Sequence, residues 1–178
     1  MIPATIRPQQ SDDSENVRRV LTRSFRRETV AELAETLQRE AQGRAFVAEV
    51  EGELVGHAEL SRCWLDTPER ILEVLVLSPL GVLPEFQRQG IGGHLVRHLL
   101  TDARKTSAPL VFLEGDPAYY ARFGFRRASE HGFTSPSVQI PDPAFQVVVL
   151  PAWEPTMTGA VIYSDAFWRH DSVGRRRP

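Results

Sequence analysis

The segment Gln87-Arg88-Gln89-Gly90-Ile91-Gly92-Gly93 is the densest glycine cluster in the chain, and it opens a stretch with the apolar spacing of a helix. The first turn of a helix carries N–H groups without intrahelical partners and the positive end of the helix dipole, so it attracts anions. Glycines at 90, 92 and 93 let a phosphate approach the backbone without meeting a β-carbon, and Arg88 adds charge at the same place. An isolated glycine triplet would indicate only a tight turn, but strand, turn and helix in succession favour anion binding. A dinucleotide-binding turn competes, because Gly90 and Gly92 match its first two glycines and Glu114 ends the following strand. Leu95 stands where its third glycine belongs, residues 84–89 separate strand from glycines, and a hairpin precedes the motif. A Walker phosphate loop is excluded, since no Gly-Lys-Ser or Gly-Lys-Thr triplet occurs.

Two other groups invite chemistry. His94 and His98, at i and i+4 on one helix face, have a zinc-binding spacing, but no third ligand lies near them in sequence, so no metal is expected. Cys63 could accept an acyl group as a thiolate, yet a lone cysteine in a strand reads as a small buried hydrophobe. A single cysteine makes no internal disulfide, so folding rests on packing.

The 178 residues, 42% hydrophobic and 25% charged, suit one soluble globular domain. A formal net charge of -2 gives no global attraction to nucleic acid or anionic lipid, so an anionic ligand needs a local pocket. There is no secretory signal and no membrane-length apolar run, which predicts a cytoplasmic protein with neither nucleic-acid nor membrane partners.

The elements that must position the glycine turn follow from periodicity. Residues 4–7 read as a strand, and 15–25 and 28–41 as amphipathic helices, the second stopped by Gly43. Residues 45–50 and 54–60 form a hairpin through Glu51-Gly52-Glu53. The β-rich run 71–83 contains Pro79 and Gly81, which predict a bulge or splayed end. A helix over 91–104, a buried strand over 110–113, a short helix over 117–123 and a late strand over 146–150 complete a β-α-α-β-β-β-α-β-α-β-β order. Residues 129–143, rich in Ser, Pro, Gly and His, read as a long loop of the kind that lines a site. The Gly174 to Pro178 end reads as frayed.

Gln87, Gly90 and Gly92 match the coenzyme A signature of the GNAT acetyltransferases, and Leu80-Gly81-Val82-Leu83-Pro84-Glu85-Phe86 resembles their link from the fourth strand. The chain is similar to that superfamily from about residue 4 to 150, and within it to the YhbS-like predicted acetyltransferases. The resemblance implies a mixed α/β (α+β) fold, with a mostly antiparallel sheet, a splayed central strand pair and helices on both faces. It implies an acetyltransferase domain over residues 1–150, and a C-terminal extension over 151–178 that packs in part and ends in the frayed basic run. It implies transfer of acetyl from acetyl-coenzyme A, the co-substrate, to a primary amine of an unidentified acceptor, without a metal, in a monomer or homodimer. The alternative is a non-catalytic acyl-coenzyme A binding module.

On the same resemblance, Leu80, Gly81, Val82 and Leu83 would pair with the pantetheine arm, and Gln87, Arg88, Gln89, Gly90, Ile91, Gly92 and Gly93 with the pyrophosphate. Asp116-Pro117-Ala118-Tyr119-Tyr120-Ala121-Arg122-Phe123-Gly124-Phe125 resembles the family's tyrosine, three residues, glycine, phenylalanine pattern. This makes Tyr120 the general acid for the leaving thiolate and sets Tyr120 and Phe123 beside the coenzyme. An amine of pKa about 10.4 is mostly protonated at neutral pH, so attack requires a proton acceptor. Glu73 is the candidate, with Glu114, Asp116, Glu28, Glu59 and His57 as other groups able to face an acceptor, and water as a further route. The acceptor pocket is expected beneath the 129–143 loop and the first two helices.

Overall fold

Apolar residues at helical spacing near the N-terminus and alternating ones beyond position 43 sort the chain into elements much as the sequence predicts. The computed structural model describes residues 3–40 and 43–174. Contacts divide the chain into two units, one of residues 1–61 and 78–102, the other of residues 62–77 and 103–178.

The first unit holds β1 (Thr5–Pro8), α1 (Ser14–Phe25), α2 (Glu28–Arg39), β2 (Gly43–Val50), the first part of β3 (Glu53–Asp66), the last part of β4 (Ile71–Val82) and most of α3 (Ile91–Ala103). β1 pairs antiparallel with β2, and β2 with β3. The β2–β3 turn uses positive φ at Glu51 and Gly52 (50° and 83°), the backbone twist a two-residue hairpin prefers. Leu83 N–H donates to Val55 O at 2.8 Å and Ser61 Oγ to Ser78 O at 3.2 Å, so β3 and the end of β4 run in opposite senses.

Successive strand residues face opposite ways, which puts helices on both faces of this sheet. A β-carbon at Gly56 would lie 3.1 Å from Leu95 and 3.4 Å from Ile91 of α3, whereas Glu59, of opposite parity, meets Gln38 of α2. Val20 and Leu21 of α1, Leu33 and Leu37 of α2, and Ile91, Leu95, Val96 and Leu99 of α3 are buried, as their spacing requires.

Ahead of α1, Arg7 forks onto Asp13 at 2.7 and 2.8 Å and also reaches Glu49, while Asp13 accepts the Gln10 N–H at 2.7 Å. The Arg7 guanidinium, as hydrogen-bond donor, holds the Asp13 carboxyl below its usual range. A depressed carboxylate stabilises the fold above its unfolded pKa of about 3.9, and that contribution is lost as pH falls through the folded value. Arg7→Met is therefore expected to cost about 1–2 kcal/mol at pH 7, with a smaller loss below pH ~4, measured by urea unfolding at both pH values.

The second unit holds the remainder of β3 and β4, with β5 (Leu110–Glu114), α4 (Pro117–Tyr120), β6 (Arg126–Arg127), β7 (Phe133–Thr134), β8 (Phe145–Val149), β9 (Gly159–Ile162) and α5 (Asp165–Arg169). β5 is parallel to β4 through Leu75↔Val111 and Val76↔Phe112, and antiparallel to β8 along its whole length. β6 adds to β8, and β9 lies antiparallel to β3 and parallel to β7. Phe112 anchors the core, stacked on Phe145 at 5.4 Å and edge-on to Phe133 at 5.2 Å.

Four expectations change. Residues 129–143 are not a plain loop: a 3-10 turn at Ala128–His131, strand β7 and a turn at Asp142–Ala144 order them, and buried Phe133 and Ile140 pin them down. The strand expected over 54–60 continues to Asp66, with Cys63 and Leu65 buried and Arg62, Trp64 and Asp66 exposed. Gly174 is held by its N–H, which donates to Glu114 Oε2 at 3.0 Å, while the rest of the expected frayed end, 175–178, lies outside the described residues. The second helix ends at Arg39, and position 41 of the expected span is likewise outside them. No helix among the described residues is long and apolar enough to cross a membrane.

Candidate active site

The glycine turn takes the form its sequence requires. Pro84–Phe86 makes one 3-10 turn after β4, Gln87 leaves it in an extended conformation, and the chain reverses at Arg88 (φ 60°) and Gly90 (φ 92°) into α3. Gly90 adopts its left-handed backbone without the penalty a β-carbon would impose. His94 N–H donates to Gly90 O at 3.0 Å, so the N–H groups of Ile91, Gly92 and Gly93 precede the first intrahelical bond and are open to an anion. The neighbouring amides brace the turn: Gln87 Nε2 donates to Val82 O and Gln89 Nε2 to Glu85 O, both at 2.9 Å. Arg88 is exposed beside them.

The approach to this turn is the end of β4. Its strand conformation runs unbroken to Val82, with a cis Ser78–Pro79 peptide, so the expected interruption is not a break. What stops is the ladder to β5, whose register ends at Val76. Proline has no N–H with which to extend it. Gly81 is buried against α1, where a β-carbon would come within 3.0 Å of Leu21 and 3.1 Å of Ser24. Leu80 and Val82 alternate with it and are half-buried, and Leu83 is buried. Pro79 to Leu83, and every residue of the predicted pyrophosphate turn, belong to the first unit.

Tyr120, Phe123, Glu73 and Glu114 belong to the second unit. Asp116 caps α4 by accepting the Ala118 N–H at 2.9 Å, which directs the chain into Tyr119 and Tyr120. The Tyr120 ring lies against Gly115, where any β-carbon would overlap it, and edge-on to Tyr119 at 4.9 Å and Phe125 at 5.8 Å. Burial pushes its hydroxyl well above the ordinary tyrosine range, with the neighbouring Tyr119 adding to the effect, so it keeps its proton at neutral pH. Tyr119 turns to Arg122, whose guanidinium sits 4.1 Å from its ring centroid. Phe123 packs at 5.6 Å from Tyr119.

The candidate bases separate clearly. Glu73 is exposed and paired with Arg62 at 3.1 Å. Burial pushes the Glu114 carboxyl up to about 7, against the lowering effect of the Gly174 N–H. Asp116 is engaged in its cap, and Glu28 stands in the first turn of α2. His57 and Glu59 are fully buried side by side in the first unit, with Nε2 and Oε2 4.0 Å apart. Desolvation lowers the imidazole to about 3 and raises the carboxyl to about 8, so both are neutral at pH 7 and the contact is not an ion pair. Their i, i+2 spacing on one strand was the available signal; their amide partners, Gln9 and Gln38, come from distant sequence.

His98 packs edge-on to Phe46 at 4.7 Å, and no group of three His, Cys, Asp or Glu among the described residues is arranged to hold a metal ion. Cys63 is buried, and desolvation raises its thiol to about 12, far from a reactive thiolate.

Comparison with known proteins now bears on this geometry. Residues 5–128 match the family described as the acetyltransferase (GNAT) domain. Over 160 residues the chain is 31% identical to the uncharacterized N-acetyltransferase YjhQ of Escherichia coli K12, covering 86% of this chain and 88% of that protein. Among solved structures, it is similar to the GNAT family N-acetyltransferase YhbS from Escherichia coli in complex with CoA, with a TM-score of 0.87, 28% identity and coverage of 98% and 97%. A GNAT family acetyltransferase from Brucella melitensis in complex with acetyl-CoA gives a TM-score of 0.75 at 28% identity, covering 94% of this chain and 99% of that one.

Proposed function

The chain belongs to the GNAT acetyltransferase family, and we propose that it transfers an acetyl group from acetyl-coenzyme A to a primary amine. The observation that carries the proposal is the turn at 88–93, whose open N–H groups at the start of α3 match the coenzyme signature of a family with relatives solved holding CoA and acetyl-CoA. In this reading the pyrophosphate lies on the backbone of Arg88 to Gly93, and Gln87 fixes the turn through Val82 O. The pantetheine follows Leu80 to Leu83, and the backbone N–H groups of Leu80 and Val82, on the strand edge opposite the Leu83–Val55 bond, polarise the thioester carbonyl as charge develops on its oxygen. Each such donor is worth about 3 kcal/mol.

The amine attacks the carbonyl carbon as the C–S bond breaks, and the departing thiolate takes a proton. Tyr120 supplies it, since its hydroxyl stays protonated and can hydrogen-bond to sulfur. Glu73 enters as base once it is released from its ion pair with Arg62.

The single cysteine is buried, so a thiol reagent reports newly released coenzyme A against a low background. Incubation of acetyl-coenzyme A with spermidine, lysine, ethanolamine and an N-terminal tripeptide should give amine-dependent thiol release for at least one of them. Tight coenzyme binding with no amine-dependent release across the panel would replace transfer with a binding module.

A further inference from the structure

The first unit contains a cavity of about 470 Å³ between the end of β1 and the start of α1 on one side and the last turns of α2 on the other. Gln9, Ser14, Val17, Glu35, Gln38 and Arg39 are among the residues that line it. Two of these residues connect the cavity wall to the buried pair on β3: Gln9 Oε1 lies 3.0 Å from His57 Nε2, and Gln38 Nε2 donates to Glu59 Oε1 at 3.3 Å. Behind that wall, Glu59 Oε2 and His57 Nδ1 have no hydrogen-bond partner among the described residues. A buried polar atom left unpaired costs about 1–3 kcal/mol, so a pair of them side by side calls for an explanation. The chain also keeps room for the carboxyl, since a β-carbon at Gly43 would overlap Glu59 Oε1.

We propose that this cavity receives the ammonium head of an amine, with Glu59 as its counter-charge and Gln38 as the side chain that gives way to it. The inference rests on the acetyl-transfer reading for one point only, that the bound amine is the acceptor. The Leu83–Val55 and Ser61–Ser78 contacts place Glu59 level with Pro79 and Leu80 on the adjacent strand, next to the proposed thioester position.

The lining carries one carboxylate, Glu35, and one guanidinium, Arg39, so the buried Glu59 carboxyl behind Gln38 decides which charge is accepted. Arg18 holds the Glu35 carboxylate at 2.8 Å, and Arg39, in the cavity wall, donates to Thr36 Oγ1 at 3.2 Å. Among the other ionisable groups on the packed elements, His57 on β3 is neutral at pH 7, Asp13 ahead of α1 and Glu49 on β2 are held by Arg7, and Arg19, Arg23, Arg44 and Arg62 are paired with Glu53, Glu85, Asp102 and Glu73. Gln10, Ser11 and Ser14 add oxygen acceptors that an ammonium's three donors can use. In the free protein Glu59 is a neutral acid, with its carboxyl pushed up to about 8 by burial. An arriving ammonium favours the carboxylate, so R–NH3+ with Glu59–COOH gives the pair R–NH3+ with Glu59–COO− and one proton released to solvent. The release should be near complete at pH 7 and fade above pH ~9, where the free carboxyl is already ionised.

Calorimetric titration of ethylammonium, spermidine and glycinamide into the coenzyme A complex at pH 7, in two buffers of different ionisation enthalpy, measures that proton. Wild type should release about one proton per amine bound, and Glu59→Gln none, with amine affinity at least ~10-fold weaker and coenzyme A affinity within ~2-fold. Coenzyme A affinity reports that the variant has folded. Ser14→Trp, an exposed change that fills the cavity, should abolish amine binding without touching the buried pair. Equal proton release in Glu59→Gln, unaltered binding in Ser14→Trp, or no binding of any probe to wild type overturns the assignment. Failure of acetyl transfer with proton-coupled binding intact would instead remove the acetyl-transfer reading and leave the amine site standing.

Discussion

Gly92→Glu should weaken acetyl-coenzyme A binding by at least ~100-fold, about 2.7 kcal/mol, while the protein stays folded. Gly92 lies in the first turn of α3, where its N–H precedes the first intrahelical bond from His94 to Gly90. A glutamate there brings a carboxylate to the same N–H groups and the same positive dipole end that would hold a pyrophosphate. It both occupies the space and repels the incoming charge. The same electrostatics protects the fold, because an acidic residue in the first turn stabilises a helix by about 0.3–1 kcal/mol. Loss of affinity therefore cannot be read as loss of the helix. Gly92→Ala adds one methyl group and no charge, so its penalty should be smaller, and the difference between the two separates repulsion from bulk. Titration calorimetry measures both, with far-ultraviolet circular dichroism as the check on folding. Wild-type affinity in Gly92→Glu would move the pyrophosphate away from this turn.

The turn was legible because its physics is local. Three glycines, a preceding strand and an amphipathic helix are adjacent in sequence, and the backbone at Arg88 and Gly90 takes up the positive φ that such a cluster supplies. The helices were legible for the same reason, since Val17, Val20 and Leu21 or Leu95, Val96 and Leu99 mark one face without reference to anything distant. Short strands were not. β6 and β7 are two residues each, too brief for any periodicity, and exist only because β8 and β9 offer them partners. The 129–143 segment looked like loop because its composition is loop-like, and two buried side chains, Phe133 and Ile140, decide otherwise. The carboxylates were the least legible part. Glu73 and Glu59 have the same side chain and both lie on strands, but Glu73 meets Arg62 in solvent and Glu59 meets a buried imidazole and an amide from α2. Those surroundings set the two carboxyls apart, and the partners in them come from 11, 2 and 21 positions away.

Tyr120→Phe should bind acetyl-coenzyme A as tightly as wild type and turn over ~100-fold to ~10,000-fold more slowly, the usual worth of general acid–base help. The substitution keeps the ring that packs on Gly115, Tyr119 and Phe125 and deletes only the hydroxyl. Burial has raised that hydroxyl above the ordinary tyrosine range, so a proton is available at every pH where the protein is assayed. The size of the effect should depend on pH in a definite direction. A thiol of pKa about 8.5 needs a proton on leaving below that value and not above it, so the penalty of Tyr120→Phe is largest near pH 6–7 and shrinks toward pH ~9 to 10. Tyr119→Phe is the control, because its ring is committed to Arg122 at 4.1 Å and its loss of a hydroxyl should cost little. Gly115→Ala tests position rather than chemistry: a β-carbon there overlaps the Tyr120 ring, so it should lower kcat while leaving the pH profile of wild-type shape. A pH-independent loss in Tyr120→Phe would assign the residue to packing, and a wild-type rate at every pH would give the proton to water or to another group.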